Sequence, residues 1–242
     1  MIFNIMTIFP DQVDAFLQTS IIGRARSAQK ITVNCYDIRN YTQDKHRRVD
    51  DYAYGGGYGM VMQADPICRC YDDICKTYPD THVIYMSPKG KKWTQHRARK
   101  MLRYPSLTIL CGHYEGVDQR AIDLIGAEEI SIGDYVMTGG ELGAMVIVDT
   151  VSRMVDGVLS SPECYEKESI YSGLLEYPQY TRPPVYRGLS VPEVLQNGHH
   201  AKIEEWKLEQ SLSITQQRRK DLYRNYLKKQ KNSYWQTPTI TP

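Results

Sequence analysis

The sequence predicts an α/β protein with a mostly parallel sheet, followed by a small all-helical C-terminal domain. Three observations carry this. Apolar runs of strand length alternate with helix-like segments up to about Met154, as in repeated strand–helix units. Two of the runs break into glycine turns: LTILC, Leu107 to Cys111, ends at Gly112, and Glu129 to Ile132 ends at Gly133. After Gly157 the apolar runs stop, and from Val191 onward the spacing is helical.

Met1 to Thr7 reads as a first strand that stops at Phe9-Pro10, and Asp11 to Leu17 as a helix with Asp11 as its cap. Ile31 to Ile38 (ITVNCYDI) alternates like a half-buried strand. Arg39 to Met60 is polar and glycine-rich, and too long to be a mere connection. Its Gly55, Gly57 and Gly59 follow a polar loop and not a strand, so they are no dinucleotide fingerprint. Pro66 to Lys76 is a helix. His82 to Met86 is a buried strand that breaks at Ser87-Pro88-Lys89-Gly90. Trp93 to Leu102 is a basic helix. A short helical spacer separates the two glycine-ended strands. After Gly139, Gly140 and Glu141, a nearly all-apolar segment to Met154 fits a helix buried on most of its surface. Ser160 to Ser172 is polar, Tyr177 to Pro184 is extended and proline-punctuated, and VPEVL, HAKIEEWKLEQSL and RRKDLYRNYLKK read as helices. A first domain over 1–159, a flexible linker over 160–176 and a helical domain over 177–242 follow. The stretch from Asn232 to Pro242 reads as unstructured.

Composition bounds function more loosely. The chain has 242 residues, 41% hydrophobic and 24% charged, ordinary for a globular protein with a real core. It holds no apolar run of membrane-spanning length, and the N-terminus lacks a signal-peptide pattern. No membrane partner and a cytoplasmic location are expected. Cys68-x-Cys70 has no second pair and no nearby histidine, so no metal site is predicted. Net charge is only +2, but cations cluster at Arg39 to Arg48, at Lys89 to Lys100 and at Arg218 to Lys231. Such clusters with interleaved tyrosines suit phosphates and stacked bases, or are simply solvated faces.

The chemistry on offer lies in two places. Glycines at strand ends let backbone groups approach a ligand without a Cβ in the way, although they also serve as plain turn residues. Arg153 closes the apolar helix, and Glu163, Glu166 and Glu168 follow in the polar loop. A carboxylate can remove a proton and a guanidinium can stabilise the charge that appears. Solvated acids and a cation at a helix C-terminus would look the same.

The chain resembles the bacterial tRNA (guanine-N1-)-methyltransferases, the TrmD type of the SPOUT superfamily. The shared motifs include Thr7-Ile8-Phe9-Pro10, Gly23-Arg24-Ala25, Val49-Asp50-Asp51, Tyr54-Gly55-Gly56-Gly57-x-Gly59-Met60 and Ser87-Pro88-x-Gly90. They continue in Cys111-Gly112-His113-Tyr114-Glu115-Gly116, Ser131-Ile132-Gly133-Asp134-Tyr135-Val136, Gly139-Gly140-Glu141-Leu142, Ser152-Arg153 and Tyr180-Thr181-Arg182-Pro183. The resemblance implies a SPOUT-type parallel sheet with a deep trefoil knot and an obligate homodimer. It implies transfer of a methyl from S-adenosyl-L-methionine to N1 of the guanine just 3′ of the anticodon in tRNA. DNA is not an implied partner.

By the same resemblance Tyr85, Ser87, Pro88, Gly112, Tyr114, Glu115, Gly116, Ile132, Gly133, Asp134, Tyr135, Val136, Met137, Gly139 and Gly140 hold the cofactor. Arg24, Asp50, Tyr54, Gly55, Gly59, Lys89, His113, Arg182 and Ser211 contact tRNA. Arg153 stabilises charge on O6, with assistance from Mg2+ left open. The family's base is an aspartate. Counting back from Ser172-Gly173-Leu174-Leu175 puts Glu168 in its place, a carboxylate one methylene longer. A tRNA-binding relative with impaired catalysis is therefore the alternative. A generic nucleotide-binding enzyme, the reading from composition alone, does not explain the basic helical tail.

Overall fold

The structure is a computed structural model that describes residues 1–161, 163–166 and 168–234. The chain divides into two compact units, Met1–Pro162 and Glu163–Pro242.

The first unit is built on five parallel strands: β1 (Ile2–Thr7), β2 (Thr32–Asp37), β5 (His82–Lys92), β6 (Ser106–Leu110) and β7 (Glu128–Ser131), in the order β2-β1-β6-β5-β7. Continuous apolar sequence fits strands covered on both faces. Along β1 the period of two separates the faces. Met6 joins Ile67 and Ile74 of α3 (Ala64–Thr77) and Ile122 of α5 (Gln119–Leu124) in one buried cluster. Phe3 and Ile5, equally buried, point the other way. Helices α1 (Pro10–Leu17) and α4 (Gln95–Met101) each pack on α6 (Glu141–Ser152), which also contacts β1. A part-buried polar pair fixes register at the β2 edge of the sheet: Asn34 Nδ2 donates to Asn4 Oδ1 at 2.9 Å, in register across β1 and β2.

Several sequence expectations need correction. Asp11 does not cap α1; it lies in the first turn, Pro10 opens the helix, and Phe9 N–H donates to Thr7 Oγ1 instead. A helix without an apolar periodicity long enough to notice, α2 (Ser20–Ser27), was not expected. The strand from His82 does not break at Ser87. A bulge between Met86 and Lys91 carries it on to Lys92. Gly90 permits this, since a Cβ there would collide with the backbone of Glu129 and Ile130. The polar loop from Arg39 contains β3 (Asp50–Tyr52), paired antiparallel with β4 (Met60–Met62).

In the second unit, α7 (Glu163–Glu166) comes first, and residues 168–182 hold no regular secondary structure. The unit is not all-helical. Strands β8 (Val185–Tyr186) and β9 (Leu189–Ser190) form a hairpin before α8 (His200–Arg218) and α9 (Lys220–Tyr234). Arg187 and Gly188 both have positive φ, 49° and 82°, which suits the two-residue turn between them. Two strand residues on each side are too few to show alternation in sequence. Helix α9 also takes in residues 232–234, which were expected to be unstructured; the remainder of that expectation, 235–242, lies outside the described residues. Trp206 of α8 meets the rings of Tyr177 and Tyr180 at 6.4 Å, and Lys207 Nζ lies 5.1 Å from the Tyr177 ring.

Candidate active site

The carboxyl ends of β5, β6 and β7 converge on a cavity of about 260 Å3. Three loops line it: the β5 bulge from Met86 to Lys89, the segment from Gly112 to Val117, and the segment from Ile130 to Gly140 other than Asp134.

The loops meet through main chain. Gly140 N–H donates to Gly112 O at 2.9 Å. A Cβ on Gly140 would stand 2.7 Å from Cys111 Cα, so only glycine allows that approach. Ser131 Oγ donates to Gly133 O at 2.9 Å and accepts from Gly133 N–H at 3.2 Å, closing the turn after β7. In the middle loop Gly116 has φ +129° and Tyr114 has φ 58°, so the chain doubles back there in left-handed backbone. The β3–β4 pair clamps that loop from outside. Glu115 N–H donates to Met60 O (3.0 Å), Met62 N–H to Gly116 O (2.9 Å) and Asp118 N–H to Met62 O (3.0 Å). The long polar stretch from Arg39 to Met60 thus ends as a buttress of the cavity wall.

A buried carboxylate supports the floor. Glu141, 3% exposed, opens α6 directly after Gly140. Its Oε1 accepts a hydrogen bond from the fully buried Thr7 hydroxyl at 2.7 Å. Burial pushes the neighbouring Cys111 thiol well up, and the charge on Glu141 adds to this. His113 packs edge-on against Phe9 and Tyr114, with ring centroids at 5.1 and 5.0 Å. Burial, then the Glu129 carboxylate, raise the Tyr85 phenol, while a backbone hydrogen bond from Val117 opposes them.

Of the residues expected to hold a cofactor, all but Asp134 line this cavity. Asp134 points outward, and its Oδ2 accepts from Lys92 Nζ at 2.5 Å. Lys89 and His113, expected at tRNA, line the cavity as well. Sequence reasoning missed Val61, Met86, Val117, Ile130, Ser131 and Thr138 among the lining residues. Most of these adjoin residues it did name; Val61 becomes visible only through the β3–β4 pairing. Among the described residues no group of three or more His, Cys, Asp or Glu could hold a metal ion.

The family description "tRNA (Guanine-1)-methyltransferase TrmD" belongs to a model that matches residues 1–225. The chain belongs to this family. Relatives named tRNA (guanine-N(1)-)-methyltransferase span nearly its whole length. The one from Lachnospira eligens is 53% identical over 96% of this chain and 99% of its own. That from Alkaliphilus oremlandii is 52% identical over 94% of each, and that from Anaplasma marginale 47% identical over 93% and 95%.

The remaining residues singled out on the strength of the TrmD resemblance are spread over both units. Arg153 is the C-cap of α6, and burial raises the carboxyl of Asp149 one turn earlier, which Arg153 pulls back. Arg24 is exposed on α2, Asp50 sits on β3, and Tyr54 is 99% exposed in the β3–β4 connection with Gly55 and Gly59. In the second unit Glu168 is half-buried beyond α7, and Ser172 Oγ donates to its carbonyl at 3.2 Å. Lys167 beside it lies outside the described residues. Arg182 is exposed, and Ser211 is buried within α8.

Proposed function

We propose that this protein methylates N1 of the guanine immediately 3′ of the anticodon in tRNA, using S-adenosylmethionine. Membership of a family described as tRNA (guanine-1)-methyltransferases, at about half identity to relatives of that name, supports the reaction. The observation that carries the cofactor reading is the cavity where the β5, β6 and β7 loops meet through backbone. Its main-chain N–H and C=O groups suit a ligand with an adenine edge and ribose hydroxyls. Its glycines leave room for that ligand to lie against the chain. The proposed cofactor residues are those expected from sequence, less Asp134.

The sulfonium of S-adenosylmethionine, once bound, supplies an already activated methyl group. The protein's own tasks are then alignment and proton removal. Guanine N1 carries a proton and is a poor nucleophile while it does. The Glu168 carboxylate takes that proton, and the Arg153 guanidinium stabilises the charge that grows on O6. The glutamate replaces the family's aspartate with the same functional group on a longer stem. Any assistance from Mg2+ would act on the proton transfer.

Three finer features complete the reading. The methyltransferase unit carries the family's trefoil knot. It works as a homodimer: α6 keeps Leu142 and Val146 54% and 37% exposed although the helix is otherwise apolar, and Phe16 of the adjoining α1 is 49% exposed. A second copy would cover them. The helical second unit, with cations along α8 and α9, binds tRNA.

The test is direct. The protein is incubated with S-adenosylmethionine and an unmodified tRNA transcript bearing guanine 3′ of the anticodon, and the digest is searched by mass spectrometry for 1-methylguanosine. Its absence with cofactor bound would favour the impaired relative, and rescue by Glu168→Asp would locate the lesion. Wild-type single-turnover rate in Glu168→Gln would remove Glu168 from the mechanism.

A further inference from the structure

The sequence holds no acid between Asp80 and Glu115, and the fold sorts the cations of that run into two sets. One set lies against acids of β7 and the loop after it. Arg97 Nη1 donates to Glu128 at 2.8 Å, and Lys92 pairs with Asp134. The other set faces outward on one side of α4. His96, Arg99, Lys100 and Arg103 follow the i, i+3, i+4, i+7 spacing of a single helix face, and all four are exposed. The opposite side carries the half-buried Arg97 and the buried Ala98 and Met101, so the helix is anchored inward and charged outward. The stripe is continuous in the chain with the cavity. Exposed Lys91 precedes α4 on β5, and Lys89 before it lines the cavity itself. Lys89, Lys91 and Lys100 make no ion pair among the described residues. Near Arg48, two of the cations meet acids: Arg47 pairs with Asp37 at 3.1 Å and Arg48 with Asp44 at 2.7 Å.

We propose that the α4 stripe, together with Lys91, is a contact surface for the phosphate backbone of the tRNA, so that the first unit grips RNA outside the cavity. The proposal rests on the tRNA-methylating reading above. Lysine and arginine heads spaced along one exposed helix face, with no acid among them, match a polyanion and repel little else of the substrate. None of these side chains lines the cavity, so the surface governs binding and not the methyl transfer.

The measurement is the salt dependence of tRNA affinity for the full chain, followed by fluorescence anisotropy, for wild type and for the double variant Lys91→Gln, Lys100→Gln. Each lost phosphate contact flattens the slope of log K against log[salt] by roughly 0.7–0.9. The double variant is therefore expected to lose about 1.5 from the slope. Its affinity for S-adenosylmethionine by calorimetry and its rate at saturating tRNA should stay at the wild-type values. Lys76→Gln, at an exposed position on α3 paired with Asp73, should leave the slope unchanged. An unchanged slope in the double variant, with 1-methylguanosine still formed by wild type, would overturn the stripe and leave the activity standing. Weakened binding to phosphatidylserine vesicles with an unaltered tRNA slope would likewise overturn it, and would assign the face to a membrane surface. Loss of 1-methylguanosine formation in wild type would instead strike at the underlying reading.

Discussion

Thr7→Val probes the floor of the cavity with a change of almost no volume. It removes the hydroxyl that donates to Glu141 Oε1 at 2.7 Å, with both side chains essentially out of solvent. A hydrogen bond to a charged acceptor contributes about 1.5–3 kcal/mol, and here the carboxylate is left short of a donor that water cannot easily replace. For a unit of this size each kcal/mol moves Tm by about 2–4 °C, so the variant should melt roughly 3–12 °C lower. Because Glu141 follows Gly139 and Gly140 directly, S-adenosylmethionine should also bind more weakly. Thr7→Ser keeps the hydroxyl and should retain most of both. Differential scanning calorimetry and cofactor titration measure the two effects. If Thr7→Val melts within about 1 °C of wild type, below the smallest loss expected, the buried pair is not a support.

Two other outcomes follow from titratable groups. Burial raises the Glu128 carboxyl, but hydrogen bonds from Arg97 and His82 outweigh it and hold the group below its ordinary 4.5. A depressed folded value means stabilisation that is complete above about 4.5 and lost as pH falls through the folded value. Glu128→Gln should therefore flatten the fall of Tm between neutral and acid pH, and an unchanged acid limb would refute the assignment. Burial, with Asp14 adding and Arg26 opposing, pushes the Cys35 thiol up to about 11, and Cys70 and Cys111 are also raised, by burial first of all. Mass spectrometry after brief iodoacetamide treatment at mild pH should find these three intact and the exposed Cys164 modified.

Much of the architecture was legible because local signals and tertiary need agreed. The run LTILC became β6, and the glycines after it mark where the chain turns into the cavity. The bulge in β5 was not legible. Ser87-Pro88-Lys89-Gly90 carries turn residues, and only the packing of Gly90 on the backbone of the neighbouring strand turns the same residues into a continued strand. The β3–β4 pairing was hidden for a different reason. Asp50–Tyr52 and Met60–Met62 are three residues each, too short for a period to show, and their partner in function, the Glu115–Gly116 turn, lies more than fifty residues away. Nothing local to Glu141 marks it as buried. Its burial depends on Thr7, 134 residues earlier.

A site walled by main chain should fail in a characteristic way. Where backbone groups do the recognising, removing a polar side chain at the rim changes little, while adding a methyl at a glycine moves the wall itself. Asp134→Ala and Gly140→Ala set the two cases against each other within one loop. Asp134 lies outside the cavity lining, 79% exposed in a pair with Lys92, and such surface pairs contribute about 0.2–1 kcal/mol. Its loss should leave the affinity for S-adenosylmethionine and Tm close to wild type. At Gly140 the new Cβ would meet Cys111 Cα at 2.7 Å, a clash with main chain and with no flexible side chain to yield. Relieving it must separate the Gly112 and Gly140 turns, lengthening their 2.9 Å hydrogen bond, at a cost of about 1–3 kcal/mol. Cofactor affinity should fall by more than stability does, since the displaced atoms line the cavity. Isothermal titration of both variants decides the matter. Strong cofactor binding by Gly140→Ala together with its loss in Asp134→Ala would mean that side chains, and not the backbone of the three loops, hold the ligand.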